Sequence, residues 1–228
     1  MMLGIAAILL ILLIFGPSIW AKYIFRKYAV EIDAFPGTGG ELAVHLVKRL
    51  ELSDVHVEEG EQNENYYDPE NKLVKLSPEN FNGKSLTAVT VAAHEIGHAI
   101  QHKSGYKPLE IRSRMARFSW VAEKIAAMML VAFPFLTLLT RSPPVGIFTL
   151  ACGLTILILP VLVHLITLPV EWDASFKRAL PVLIAGKYIP ESAIPISKKI
   201  LTAAALTYLA TSLASILNFY RWLIFLRR

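Results

Sequence analysis

The run His94-Glu95-Ile96-Gly97-His98 has the residue types and spacing of a zinc hydrolase. On an α-helix, residues four apart stand on one face, about one turn from each other. Both imidazoles can then reach one metal ion at about 2.0–2.1 Å. Glu95 is turned roughly 100° from His94. From there its carboxylate can reach a metal-activated water without itself becoming a ligand, the position of a general base.

Two histidines do not complete such a site, because a catalytic zinc takes three protein ligands and keeps one position open. His102 shares the helix face but lies about 12 Å along it from His94, too far for one ion. A histidine ten residues after the first is excluded, because position 104 is Ser. A downstream Glu remains. Glu171, in Val170-Glu171-Trp172-Asp173-Ala174-Ser175, stands where an apolar stretch ends. An acid beside so many apolar residues is costly without a cationic partner. Asp173 is the rival, but on a helix it points about 200° away, so only one of the two faces the metal. His164, seven residues before Glu171, is either close to the site or hydrogen-bonded within a helix bundle. Arg178, His164 and Tyr67 are the candidate donors to a tetrahedral oxyanion.

The elements that must position these residues lie in a chain of 228 residues, 54% hydrophobic, with mean hydropathy +0.49. Long apolar runs separate a few charged blocks, the pattern of an integral membrane protein with a modest polar domain. The net charge of +5 is spread as a topology signal. No basic stripe or aromatic-plus-basic motif points to nucleic acid. The one cysteine, Cys152, excludes an intrachain disulfide and a cysteine zinc cluster.

Four spans are expected: Met2–Trp20, Ile125–Thr140, Val145–Val170 and Leu201–Phe225. The first lacks the charged start and cleavage site of a signal peptide, which reads as an uncleaved anchor. Lysines and arginines flank or fill the polar blocks at 28–117 and 171–197, which places both blocks in the cytoplasm and both termini outside. The first block should contain a helix Glu41–Leu50, a short strand Val55–Val57, and strand–turn–strand over Asn65–Leu76. Ser85 is placed to cap the metal-binding helix, with Gly105 and Pro108 ending it. The domain limits that follow are 1–24 for the first span, 25–117 for the catalytic block, and 118–228 for a three-span bundle carrying the third-ligand block 170–199.

Together, Ala92–Gln101, Tyr67-Asp68-Pro69, Leu76-Ser77-Pro78-Glu79 and Glu171-Trp172-Asp173-Ala174-Ser175 resemble the YugP-like family of bacterial membrane zinc metallopeptidases. The resemblance covers nearly the whole chain, and it is similar in plan to the HtpX-like and CAAX-prenyl membrane proteases. It implies a mainly α fold, a four-span bundle bearing a small α+β zincin-like (gluzincin) domain. It also implies one Zn2+ per chain on His94, His98 and Glu171. In the HtpX-like pattern an Asp stands where this chain has Ser175, so the group orienting a ligand histidine carries no charge here. The strand before the metal helix, Leu73, Val74, Lys75 and Leu76, is the expected partner of an extended substrate. The expected partners are the lipid bilayer, a polypeptide substrate, and either a second copy or another membrane protein. Two other readings compete with a protease: a zinc-bound scaffold, and a transporter. The transporter would need paired ionisable groups within several spans, and only His164 approaches that.

Overall fold

The structure is a computed structural model describing residues 2–32, 35–156 and 159–207; the side chains of 2–14, Leu154, Pro160, Val161 and His164 lie outside that description. It is mainly helical with one small sheet. Helix α1 (Met2–Lys27) leads to α2 (Gly39–Arg49), strands β1 (His56–Glu59), β2 (Tyr66–Asp68) and β3 (Leu73–Leu76), and a single turn, α3 (Pro78–Phe81). Then come α4 (Leu86–Lys103), α5 (Lys107–Thr140), α6 (Pro143–Ile156) and α7 (Leu159–Trp172). A π-helix (Asp173–Ala179) continues α7 directly into α8 (Leu180–Ala185), and a last helix covers 194–207.

Helix α2 begins in a capping box: Glu41 N–H donates to Thr38 Oγ1, and Thr38 N–H donates to Glu41 Oε2 at 2.8 Å. Its apolar stripe, Leu42, Ala43 and Leu46, is buried against α4. The sheet order is β1-β3-β2, with β3 parallel to β1 and antiparallel to β2. Val74 and Leu76 point into the core while Leu73 and Lys75 remain half-buried, the alternation of a one-sided sheet.

Helix α4 is buried over most of its length, and its ends are well defined. Ser85 Oγ accepts from Ala88 N–H at 3.1 Å. The end of α1 adds to this start: Thr87 N–H donates to Tyr28 O and Thr87 Oγ1 to Phe25 O. At the other end Gly105 takes φ +63°, Tyr106 N–H donates to Gln101 O, and Gly105 N–H donates to His102 O. This is a Schellman stop, in which a left-handed residue is cheapest as glycine. Pro108 does not end α4 as expected but sits in the first turn of α5, where a missing N–H costs nothing.

Helix α5 has 34 residues, about 50 Å at 1.5 Å per residue. The expected second span, Ile125–Thr140, forms the C-terminal part of this one helix, which begins at Lys107. Phe118, Ile125, Met128, Val131, Phe135 and Leu138 are exposed along it. Among the described residues it is the helix long and apolar enough to cross a membrane. The four-span bundle is therefore not established by these elements. The expected third span is divided between α6 and α7, with 157–158 outside the described residues, and the fourth is described only to residue 207.

Replacing the cap of α4 tests how much it stabilises the fold. Ser85→Ala should lower stability by about 1 kcal/mol, read from denaturant unfolding followed by circular dichroism, and Ser85→Asp should restore it.

Candidate metal centre

His94, Glu95 and His98 occupy the buried middle of α4. Glu171, from the last turn of α7, is completely buried and meets them. Its Oε2 lies 3.1 Å from His94 Nε2 and 3.3 Å from His98 Nε2. One potential ligand atom from each of the three residues falls within 4.8 Å of the others. Asp173 does not join them. It turns to Gln101 Nε2, Lys177 and Arg178.

The two ring nitrogens facing away from this point are also held. Ser175 Oγ is 3.1 Å from His94 Nδ1, so the uncharged residue of the 171–175 block still orients a ligand histidine. His98 Nδ1 is 3.0 Å from Gln101 Oε1. Gln101 donates both its amide hydrogens elsewhere, to Val170 O and Asp173 Oδ1, each at 2.9 Å. Its Oε1 is thus an acceptor, and His98 must carry its proton on Nδ1. That leaves the lone pair of His98 Nε2 aimed at Glu171 Oε2. Two acceptors at 3.3 Å repel each other unless a proton or a metal cation lies between them. Two imidazoles and one carboxylate are a donor set suited to Zn2+ with an open fourth position.

Gln101 was missed by sequence reasoning. Its signal was present: a polar residue seven after His94 and three after His98, on the buried face of the same helix. Gly97 also has a reason. A Cβ there would come within 2.6 Å of Ala174 O, so the backbone of α4 touches the backbone of the π-helix. The π-helix widens the turn after Glu171 and pairs residues five apart, as in Asp173 with Arg178.

The other candidates fall in different places. Arg178 is engaged by Asp173. Tyr67 OH is 2.7 Å from His102 Nδ1, which places its hydroxyl at the far end of α4 and gives His102 a partner other than metal. Burial of that hydroxyl pushes the Tyr67 pKa up to about 12. The side chain of His164 lies outside the described residues. Leu73–Leu76 is corrected: β3 is the central strand, paired with β1 on one side and β2 on the other, and has no edge to offer. The open edge of the sheet on this side is β2, whose Tyr67 backbone acts to lower the Glu95 carboxyl.

Burial raises the Glu95 carboxyl to about 7; His94, Arg112 and the Tyr67 N–H oppose that rise, and Glu171 adds to it. Burial also acts to raise Glu171, but His98 and His94 outweigh it and hold its carboxyl below the usual carboxylate range. His94 and Glu95 border a cavity of about 830 Å³ that extends past Thr90, Asn65 and Asn80 to Arg26 and Ile200.

A histidine pair on one helix, closed by a glutamate from a later helix and with a free glutamate beside it, defines a metal-hydrolase type of centre. The chain belongs more particularly to the family described as "Putative neutral zinc metallopeptidase", whose model matches residues 3–227. It is 33% identical over 213 residues to "Putative membrane protease YugP" of Bacillus subtilis (strain 168), covering 91% of this chain and 90% of that protein. No solved structure matches.

Gln101→Leu should weaken zinc binding about 10–100-fold while leaving the helix content unchanged, measured by chelator competition on the purified protein.

Proposed function

We propose that the chain is a membrane-embedded zinc endopeptidase with His94, His98 and Glu171 as metal ligands and Glu95 as general base. The observation that carries this is the division of labour on α4. Two imidazoles converge with Glu171, while the neighbouring Glu95 keeps out of the donor set and opens on the same cavity. A purely structural site is usually closed by a fourth protein ligand and has no use for a base. Membership of a zinc metallopeptidase family and the likeness to a protein named a membrane protease support the same reading.

When bound, zinc would supply Lewis acidity and acidify the attacking water. The residues of the chain do the rest. Ser175 and Gln101 fix the two imidazoles with Nε2 toward the metal. Glu95 takes the proton of the attacking water and returns it to the leaving amine. The oxyanion donor is not among Arg178 and Tyr67 in the arrangement described, because both are engaged elsewhere. An extended substrate would pair with the open edge of β2. The exposed apolar face of α5 fits lipid. We read the long apolar runs of the sequence as further spans, and the flanking lysines and arginines favour the site on the cytoplasmic side, with a substrate in or beside the membrane.

Glu95→Gln should retain one equivalent of zinc and lose hydrolysis of a peptide library by about 10²-fold or more. Glu171→Ala should lose the metal, measured by elemental analysis. Removing zinc from the wild type with a chelator should abolish activity, and adding it back should restore it. Zinc-loaded wild type that cleaves no peptide and no membrane-protein segment would instead favour a scaffold.

A further inference from the structure

The Glu171 carboxylate has two oxygens, and only Oε2 is directed at the histidines. Oε1 is equally buried and accepts no aligned hydrogen bond among the described residues, yet Arg112 Nη1 stands 3.2 Å from it. A desolvated carboxylate oxygen without a partner is costly, and an arginine is suited to supply one in a partly buried place. The Arg112 side chain is 26% exposed and reaches inward from the second turn of α5. We infer that Arg112 is the positioning residue of the metal centre. By holding Oε1, it orients the carboxylate so that Oε2 alone faces the metal.

The chemistry of the site makes this orientation matter. A carboxylate free to turn can offer a metal both oxygens, which would fill the coordination position that water and substrate need. Held at one oxygen by a guanidinium, it offers the other only. The origin of this clamp has a structural consequence. The ligand comes from the end of α7 and its clamp from the start of α5, two helices packed along each other. The packing of the apolar helices then sets the aim of a metal ligand. Arg112 also lowers the Glu95 carboxyl, which places its charge within reach of both acids of the site.

The inference rests on the metal-centre reading above, and the full-length chain in detergent tests the two separately. The probes are zinc affinity by chelator competition and the visible spectrum of the cobalt-substituted protein. Arg112→Ala should weaken zinc binding about tenfold or more and change the cobalt bands, and Arg112→Lys should recover most of both. In a Glu171→Gln background, Arg112→Ala should cost no further affinity, since the group it orients is already gone. Zinc affinity and cobalt bands unchanged in Arg112→Ala, with hydrolysis reduced, would overturn the inference and assign Arg112 to the substrate. Additive losses in the double variant would overturn it as well, and this comparison stands on Arg112→Gln, which removes the charge but keeps a long side chain, if Arg112→Ala does not fold. A wild type that binds no zinc would overturn the metal-centre reading, and this inference with it.

Discussion

One buried negative charge organises this molecule. Glu171 is fully enclosed at the end of an apolar helix, where an isolated carboxylate would shed its charge by taking up a proton. Two imidazoles and a guanidinium surround it, each contributed by an element that must be brought from far along the chain. The partners are set on α4 and α5, and the acid on α7. Each element therefore has a fixed place relative to the others before any metal binds.

Around that charge the structure spends its polar groups in pairs. Ser175 and Gln101 each hold one imidazole, and Gln101 reaches on to Val170 and Asp173, linking α4 to the segment that carries the acid. Asp173 in turn collects Arg178 and Lys177. The two acids that looked interchangeable in Glu171-Trp172-Asp173 are thus divided between two tasks. One faces the histidines, and the other anchors the network behind them. Buried polar networks of this kind are costly when half satisfied, which is why nearly every member here has a partner.

The histidine pair, its helix and the Ser85 cap were legible in the sequence because they are local. Spacing four apart and a serine before an apolar run need no tertiary information. Glu171 could be reached because an acid at the edge of an apolar run is rare. The sheet order was not legible. Four strand residues in Leu73–Leu76 carry no mark that says whether they are central or at an edge, since β1 must come back parallel from outside the hairpin to cover them. Gln101 and Arg112 escaped for a related reason. A glutamine in the helix and an arginine in a basic stretch look like solvated residues until the partner from α7 is in place. The π-turn escaped too, because nothing in Asp173–Ala179 marks it out from an ordinary helix.

That contact at Gly97 and Ala174 limits how the cleft can breathe. With no side chain between them, the helix bearing the imidazoles and the segment bearing the acid pack backbone to backbone. Separating them would break the imidazole, serine and glutamine links together. The far side of the cavity that borders His94 and Glu95 is lined instead by Asn63, Asn65 and Pro78, from the segments that flank the strands of the small sheet.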